Sequence, residues 1–263
     1  MAGIMERARG PRPPPPPRVS AEQLYADALE RDNAEWLTFN IKEMGWRSRQ
    51  RGELRNWLEQ NKPSKVLRAD GIGWIAVSCR SDAEDDLSEG ELSDEPEEEG
   101  DAKAEWEALK EEERNMETVD RLAEKFNYRA GMWLFHISSD QVDKVWSNLA
   151  EAMLRGDLSP TIFDIKVSPT TSPGEVEQEG SHVVVIHNSD YQDTAQVMKA
   201  ESQLRSAGVF GDLHYKPDIF AVLGIYRNNA WGIRPSIYLS KMARNEKKSK
   251  ITVTGIGKWY TNT

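Results

Sequence analysis

The chain has a single cysteine, Cys79, among 263 residues. One thiol supports no intramolecular disulfide framework, and no Cys-rich zinc site can be assembled from it. A reducing compartment, cytoplasmic or nuclear, suits such a chain. No run of 18 apolar residues occurs, and no apolar h-region follows the N-terminal Met, so neither a membrane span nor a signal peptide is expected. Only four histidines are present, His136, His182, His187 and His214, and no His-Glu-x-x-His pattern joins any of them. His182 and His187 fall on opposite faces of one predicted strand, so no metal or other cofactor is expected. A Gly-rich loop ending in Gly-Lys-Ser/Thr is missing, which excludes the P-loop enzymes, and "GIGW" at Gly71 lacks the rest of a dinucleotide fingerprint. Hydrophobic residues make up only 38% of the chain, so polar segments dilute a domain of ordinary composition.

Charge is abundant but unevenly placed. The net charge is −10, yet residues 81–101 alone hold twelve acids and no base, whereas residues 205–263 hold ten bases against three acids. A local cationic field therefore coexists with an acidic whole, because charges are screened beyond about 8 Å at physiological salt. Residues 1–19 are rich in Pro and Arg, and five successive prolines at 13–17 favour an extended polyproline leader, a docking segment for a proline-ligand-binding protein. Residues 81–101 read as a disordered acidic loop inserted in the fold. Within it Ser81 and Ser88 each have an acid three residues downstream, which marks both as candidate phosphorylation sites.

Between and after these segments, residues 20–263 carry the periodicities of one α+β domain. "SAEQ" at Ser20 is a capping box, and the helix it opens extends its apolar stripe through Leu24, Ala28 and Leu29 to Trp36. Leu54, Trp57 and Leu58 mark a second helix, ending before Pro63. "VLRADGIGWIAVSC" predicts a hairpin turning at Asp70–Gly71. One long Glu-rich helix is expected through Trp106, Leu109, Met116, Val119, Leu122 and Phe126. "GMWLFHI" predicts a strand, followed by a helix with a second capping box, Ser138 with Gln141. "TIFDIKV" and "HVVVIHN" follow as strands. A helix from about Asp190 to Ala207 stops at Gly208, and "DIFAVLGIY", "PSIYLS" and "ITVTGI" close the chain as strands. The pattern favours a single domain with a curved antiparallel sheet and about three main helices on one face.

Nine tryptophans are many for this length. Trp57, Trp106 and Trp146 fit buried helical stripes. Trp133 opens a strand directly after Gly131, Trp231 sits in a turn between Arg227 and Arg234, and Trp259 adjoins Lys258 near the end of the chain. An indole flanked by guanidiniums suits stacking on a base, with the cations on phosphate. It equally suits a hydrophobic corner whose arginines pair with nearby acids. Lys216 lies before a predicted strand; cationic neighbours there would lower its pKa and make it a candidate base, with His214 as an acid. The alternative is a solvated loop lysine. "ARNEKKSK" (243–250) is a basic turn or a backbone contact for nucleic acid.

"GMWLFHISSDQVDKVWSNLAEAMLRGDL" and "KAESQLRSAGVFGDLHYKPDIFAVLGIYRNNAWGIRPSIY", together with the Pro-rich leader and acidic loop, resemble the family of vertebrate basophilic leukaemia-expressed proteins. The resemblance implies a fold like that of the cap-binding translation initiation factor, a curved antiparallel sheet with helices across its convex face. Cap-binding factors hold a methylated guanine between two tryptophans and its phosphates on Arg and Lys; Trp133, Trp231, Arg227, Arg234 and Lys216 are the matching residue types here. Through bacterial relatives the resemblance also implies phosphothreonine lyase chemistry, with Lys216 as base and His136 or His214 as acid. The leading expectation is a non-enzymatic protein that binds RNA or a nucleotide-like anion on the concave sheet face. Trp231 would stack, Arg227, Arg234 and Lys216 would hold phosphate, and Trp133 or Trp259, the latter beside Lys258, would form a second wall. The lyase and an interaction scaffold are the alternatives.

Overall fold

The computed structural model describes residues 20–41, 47–79, 99–158, 160, 162–171 and 180–254. The Pro-rich leader, residues 81–98 of the acidic segment with Ser81 and Ser88, and Lys258 and Trp259 lie outside the described residues.

Ser20 caps α1 (Ala21–Asp32) as the sequence predicts: its Oγ accepts from the Gln23 N–H at 3.1 Å, and Gln23 Oε1 accepts from the Ser20 N–H at 2.9 Å. The helix does not continue to Trp36. Asn33 closes it, a residue whose side chain competes with helical backbone bonding, and Trp36 belongs to β1 (Glu35–Asn40). Next come α2 (Arg47–Gln60), β2 (Ile72–Ser78), α3 (Glu99–Ala108) and α4 (Met116–Lys125). The expected hairpin around Asp70–Gly71 is instead a 3-10 turn, Arg68–Asp70, ending on Gly71 at φ +85°. β2 finds its partners elsewhere in the chain, β1 in parallel and β4 (Ile162–Val167) antiparallel. The single Glu-rich helix is also broken. Asn115 accepts from the Thr118 N–H at 3.1 Å and starts α4 afresh, as a side-chain cap is expected to do.

β3 (Gly131–Ser138) leads into α5 (Ser139–Arg155), then β5 (Ser181–Asn188), α6 (Thr194–Ser206) and β6 (Gly211–Pro217). Ser138 occupies the cap position of α5 but makes no side-chain cap bond, and the Gln141 side chain, the other half of the expected box, accepts instead from Arg244 at 2.5 Å. "DIFAVLGIY" is not a strand. Pro217 ends β6, and the apolar run folds into a short turn of helix, α7 (Ile219–Val222), burying Ile219, Phe220 and Ile225. Short apolar runs do not distinguish strand from buried helix by periodicity alone. β7 (Tyr238–Met242) and β8 (Lys250–Val253) finish the sheet.

The result is α+β, a curved eight-stranded sheet in the order β1-β2-β4-β5-β3-β6-β7-β8, antiparallel except for the β1–β2 edge. Alternate residues fill one core face: Ile75 and Val77, Ile165 and Val167, Val184 and Ile186, Trp133 and Phe135, Leu213 and Tyr215. Val142, Trp146, Leu149 and Met153 of α5 and Val197, Ala200 and Leu204 of α6 cover that face. Among the described residues no helix is long and apolar enough to cross a membrane.

Candidate anion-binding face of the sheet

The period of two that buries the core residues turns their neighbours to the other face. Register places Met132 beside Lys216 and Leu134 beside His214, with Leu239 beyond His214 and Lys241 beyond Asp212. Across the sheet, Lys166 and Asp164 of β4 and Trp36 and Trp74 of the β1–β2 edge share this second face.

α1 lies over part of it. A Cβ built on Gly73 would come within 2.1 Å of the Arg31 carbonyl, so only glycine allows the end of α1 to sit this close to β2. Beside the helix, buried Lys166, Lys216 and Trp74 form a layer with the half-buried rings of Trp36 and Tyr226. Lys166 Nζ stands 4.5 Å from the ring centroids of both Trp36 and Trp74, two indoles that meet edge-on. Asp32 accepts from Trp74 Nε1 at 2.8 Å and from Lys166 Nζ at 3.4 Å. Further along, Lys216 Nζ stands 4.1 Å from the centroid of Tyr226, whose ring meets Tyr25 of α1 edge-on. Burial pulls the Lys216 ammonium down to about 8, with Asp218 and Asp32 opposing it. The expected cause, cationic neighbours, is therefore replaced by desolvation. Burial likewise pushes the Tyr226 hydroxyl up to about 12.

Beyond α1 the face is open. His136, Arg227 and Lys241 are exposed and His214 is half-buried between Leu134 and Leu239. Burial lowers the His214 pKa; Asp212 opposes this, while His136, Arg227 and Lys241 push the same way as burial. Three cationic or ionisable groups thus act on one imidazole, against one carboxylate that is itself paired with Lys241 at 3.2 Å.

The residues singled out in the sequence divide accordingly. Arg227, Lys216, His214 and His136 do share this side of the sheet, although Lys216 is buried over Tyr226 and not open for proton abstraction. Trp133 is not a ligand wall. It is fully buried on the core face, and its Nε1 donates to the Val197 carbonyl at 3.0 Å. Trp231 is half-buried, edge-on to Trp106 of α3 at 5.0 Å, with the Arg114 guanidinium 5.4 Å from its ring. Of the two readings of that turn, the indole takes the hydrophobic corner, and the cation on it comes from Arg114. Arg234 is exposed on the loop before β7 and makes no ion pair among the described residues. The layer of Trp36, Trp74, Lys166, Asp32 and Tyr226 went unread in the sequence. Its only local signal is a lysine between apolar residues in "TIFDIKV".

Two solved structures of schistosome eIF4E are similar to parts of the chain. The complex with m7GpppA and 4E-BP is 18% identical, with 43% of this chain and 60% of that chain covered and a TM-score of 0.33. The complex with m7GpppG and 4E-BP is 17% identical, with 39% and 56% covered and a TM-score of 0.31. The chain thus spans less than two thirds of either structure. The family model described as basophilic leukemia-expressed protein Bles03 matches residues 81–224, more than half of the chain, and the chain belongs to that family.

Proposed function

We propose that the protein binds a nucleotide-like anion, of the kind a short RNA segment presents, on the open part of the second sheet face. The observation that carries this reading is the grouping of His136, Arg227 and Lys241 around His214, with Asp212 as the one carboxylate acting on that imidazole. Phosphate would sit among these cations, where charge-assisted hydrogen bonds are strongest. Leu134 and Leu239, flanking His214, give the base or sugar an apolar floor. Lys216 acts from beneath through its charge, and Trp231 and Trp133 take no part.

The test is an NMR titration of the His136 and His214 ring signals at low salt with capped dinucleotide, guanosine triphosphate and a short RNA. Saturable shifts of both rings are expected, weakened at least tenfold by Arg227→Glu. Ring signals that stay unmoved by all three at millimolar concentration would overturn the reading.

A further inference from the structure

Away from the anion-binding face, at the start of α5, a buried histidine connects a backbone carbonyl to a serine. His182 is 1% exposed, on the core face of β5. Its Nδ1 lies 2.8 Å from the Ser168 carbonyl oxygen and its Nε2 lies 2.9 Å from Ser139 Oγ. A carbonyl oxygen only accepts, so Nδ1 carries the ring proton and donates it. In the neutral ring Nε2 then has a bare lone pair and accepts from the Ser139 hydroxyl. The Ser168 carbonyl is itself fixed, since Ser168 exchanges bonds with Val183: its N–H donates to the Val183 carbonyl at 2.9 Å and its Oγ accepts from the Val183 N–H at 3.0 Å. Hydroxyl, base and orienting acceptor stand in line, each within hydrogen-bond reach of the next. This is the arrangement by which a serine is made nucleophilic.

We infer that Ser139 is a His182-activated nucleophile that takes an acyl group from a small ester or thioester. Ser139 is partly exposed, unlike the histidine behind it. Its own N–H is committed to the Gly180 carbonyl at 3.0 Å, which holds the residue in place. In the same turn, the Asp140 and Gln141 N–H groups receive no side-chain cap from Ser138 and can meet developing negative charge on a carbonyl oxygen. A cavity of about 390 Å³ adjoins this turn through Ser138 and Gln141, and Ile137, Phe210, His136 and Arg244 also line it, a mixed apolar and polar space next to Ser139.

In the reaction Ser139 Oγ bonds to the ester carbon while its proton passes to His182 Nε2. The bond from that carbon to the leaving oxygen or sulfur breaks, and the leaving group takes the proton from Nε2 as an alcohol or thiol. Water then attacks the acyl-serine, giving its proton to Nε2, and Ser139 recovers a proton as the carboxylic acid departs. The orienting group is a neutral carbonyl, so the imidazolium is stabilised less than beside a carboxylate. Good leaving groups are therefore required, and amides are excluded as substrates.

The experiment is labelling of the full chain with a fluorophosphonate, in which Oγ–P forms, P–F breaks, and the hydroxyl proton leaves through His182 with fluoride. Intact mass followed by peptide mapping is expected to find one adduct, on Ser139. Ser139→Ala abolishes it and Ser202→Ala, at an exposed position on α6, leaves it unchanged. His182→Gln, if its melting transition matches the parent, slows labelling by roughly a hundredfold or more; if it does not fold, the two serine variants decide. An unlabelled parent chain, an adduct that survives Ser139→Ala, or labelling of folded His182→Gln at the parent rate would overturn the assignment.

Discussion

The ammonium of Lys216 and the ring of Tyr226 face each other at 4.1 Å, and desolvation rather than charge sets the properties of both. A lysine at about 8 in the folded chain and at 10.5 when unfolded opposes folding while it is charged. Below pH 8 both states hold the proton and the penalty, about 3 kcal/mol from a shift of this size, is fully present. From pH 8 to 10 the folded state releases the proton first, the unfolded state binds more, and stability rises with pH. Lys216→Met keeps the apolar stem and removes the charge. It is expected to stabilise the protein by about 1–3 kcal/mol at pH 7 and by clearly less at pH 9.5, read from urea unfolding. An equal loss of stability at both pH values would contradict this.

His214 offers a test of the anion site from the opposite direction. Its pKa is held below the usual imidazole value by burial and by His136, Arg227 and Lys241, with Asp212 opposing. A phosphate seated among those cations supplies the missing negative charge and raises it again. By linkage the anion binds more tightly as pH falls and His214 takes up its proton. Affinity for a short RNA is expected to increase roughly three- to tenfold between pH 7.5 and 5.5. His214→Gln should flatten much of this dependence. Lys241→Glu should reduce the salt slope by about 0.7 per lost contact to single-stranded RNA.

Trp231 separates the binding face from the structural corner. Its indole meets Trp106 edge-on and lies beneath Arg114, so it joins the loop before β7 to α3. Trp231→Ala is expected to cost about 2–3 kcal/mol, somewhat less than a fully buried tryptophan. RNA affinity at a temperature where the variant is folded should stay within twofold. Arg227→Glu should behave oppositely, with stability nearly unchanged and affinity lost. A Trp231→Ala chain that is stable but binds weakly would restore the indole to the ligand.

The contrast shows which physical signals are local. The Ser20 cap, the β3–α5 unit and the apolar faces of β4 and β5 are written in neighbouring residues, so period and capping identify them. The apolar stripe of α1 runs on to Trp36 in sequence because Asn33 ends the helix only three residues earlier, and nothing nearby announces β1. Trp231 carries flanking arginines in sequence, whereas its actual partners, Trp106 and Arg114, come from a distant part of the chain. In "TIFDIKV" Lys166 is locally just one polar position in a strand. Its place between two indoles depends on the β1–β2 register and on the close approach of α1 to Gly73, both long-range facts.

On the core side of the sheet, Arg205 shows how strongly one buried charge depends on its partners. Its Nε donates to Glu201 Oε1 at 2.8 Å, one Nη donates to the Val209 and Gly211 carbonyls, and the other to the Ser240 carbonyl and Oγ. Ser240 Oγ in turn donates to Glu201 Oε1. The side chain thereby ties α6 to the start of β6 and to β7, and both charged groups are almost wholly buried. Removing one partner leaves the other charged and unsatisfied in a medium that solvates it poorly. Arg205→Ala is expected to cost about 3–5 kcal/mol, whereas replacing both charges, Arg205→Met with Glu201→Leu, should cost less than the two single changes together. Equilibrium denaturation of the four chains in a double-mutant cycle measures the coupling. Simple additivity would mean that the pair contributes no more than its packing.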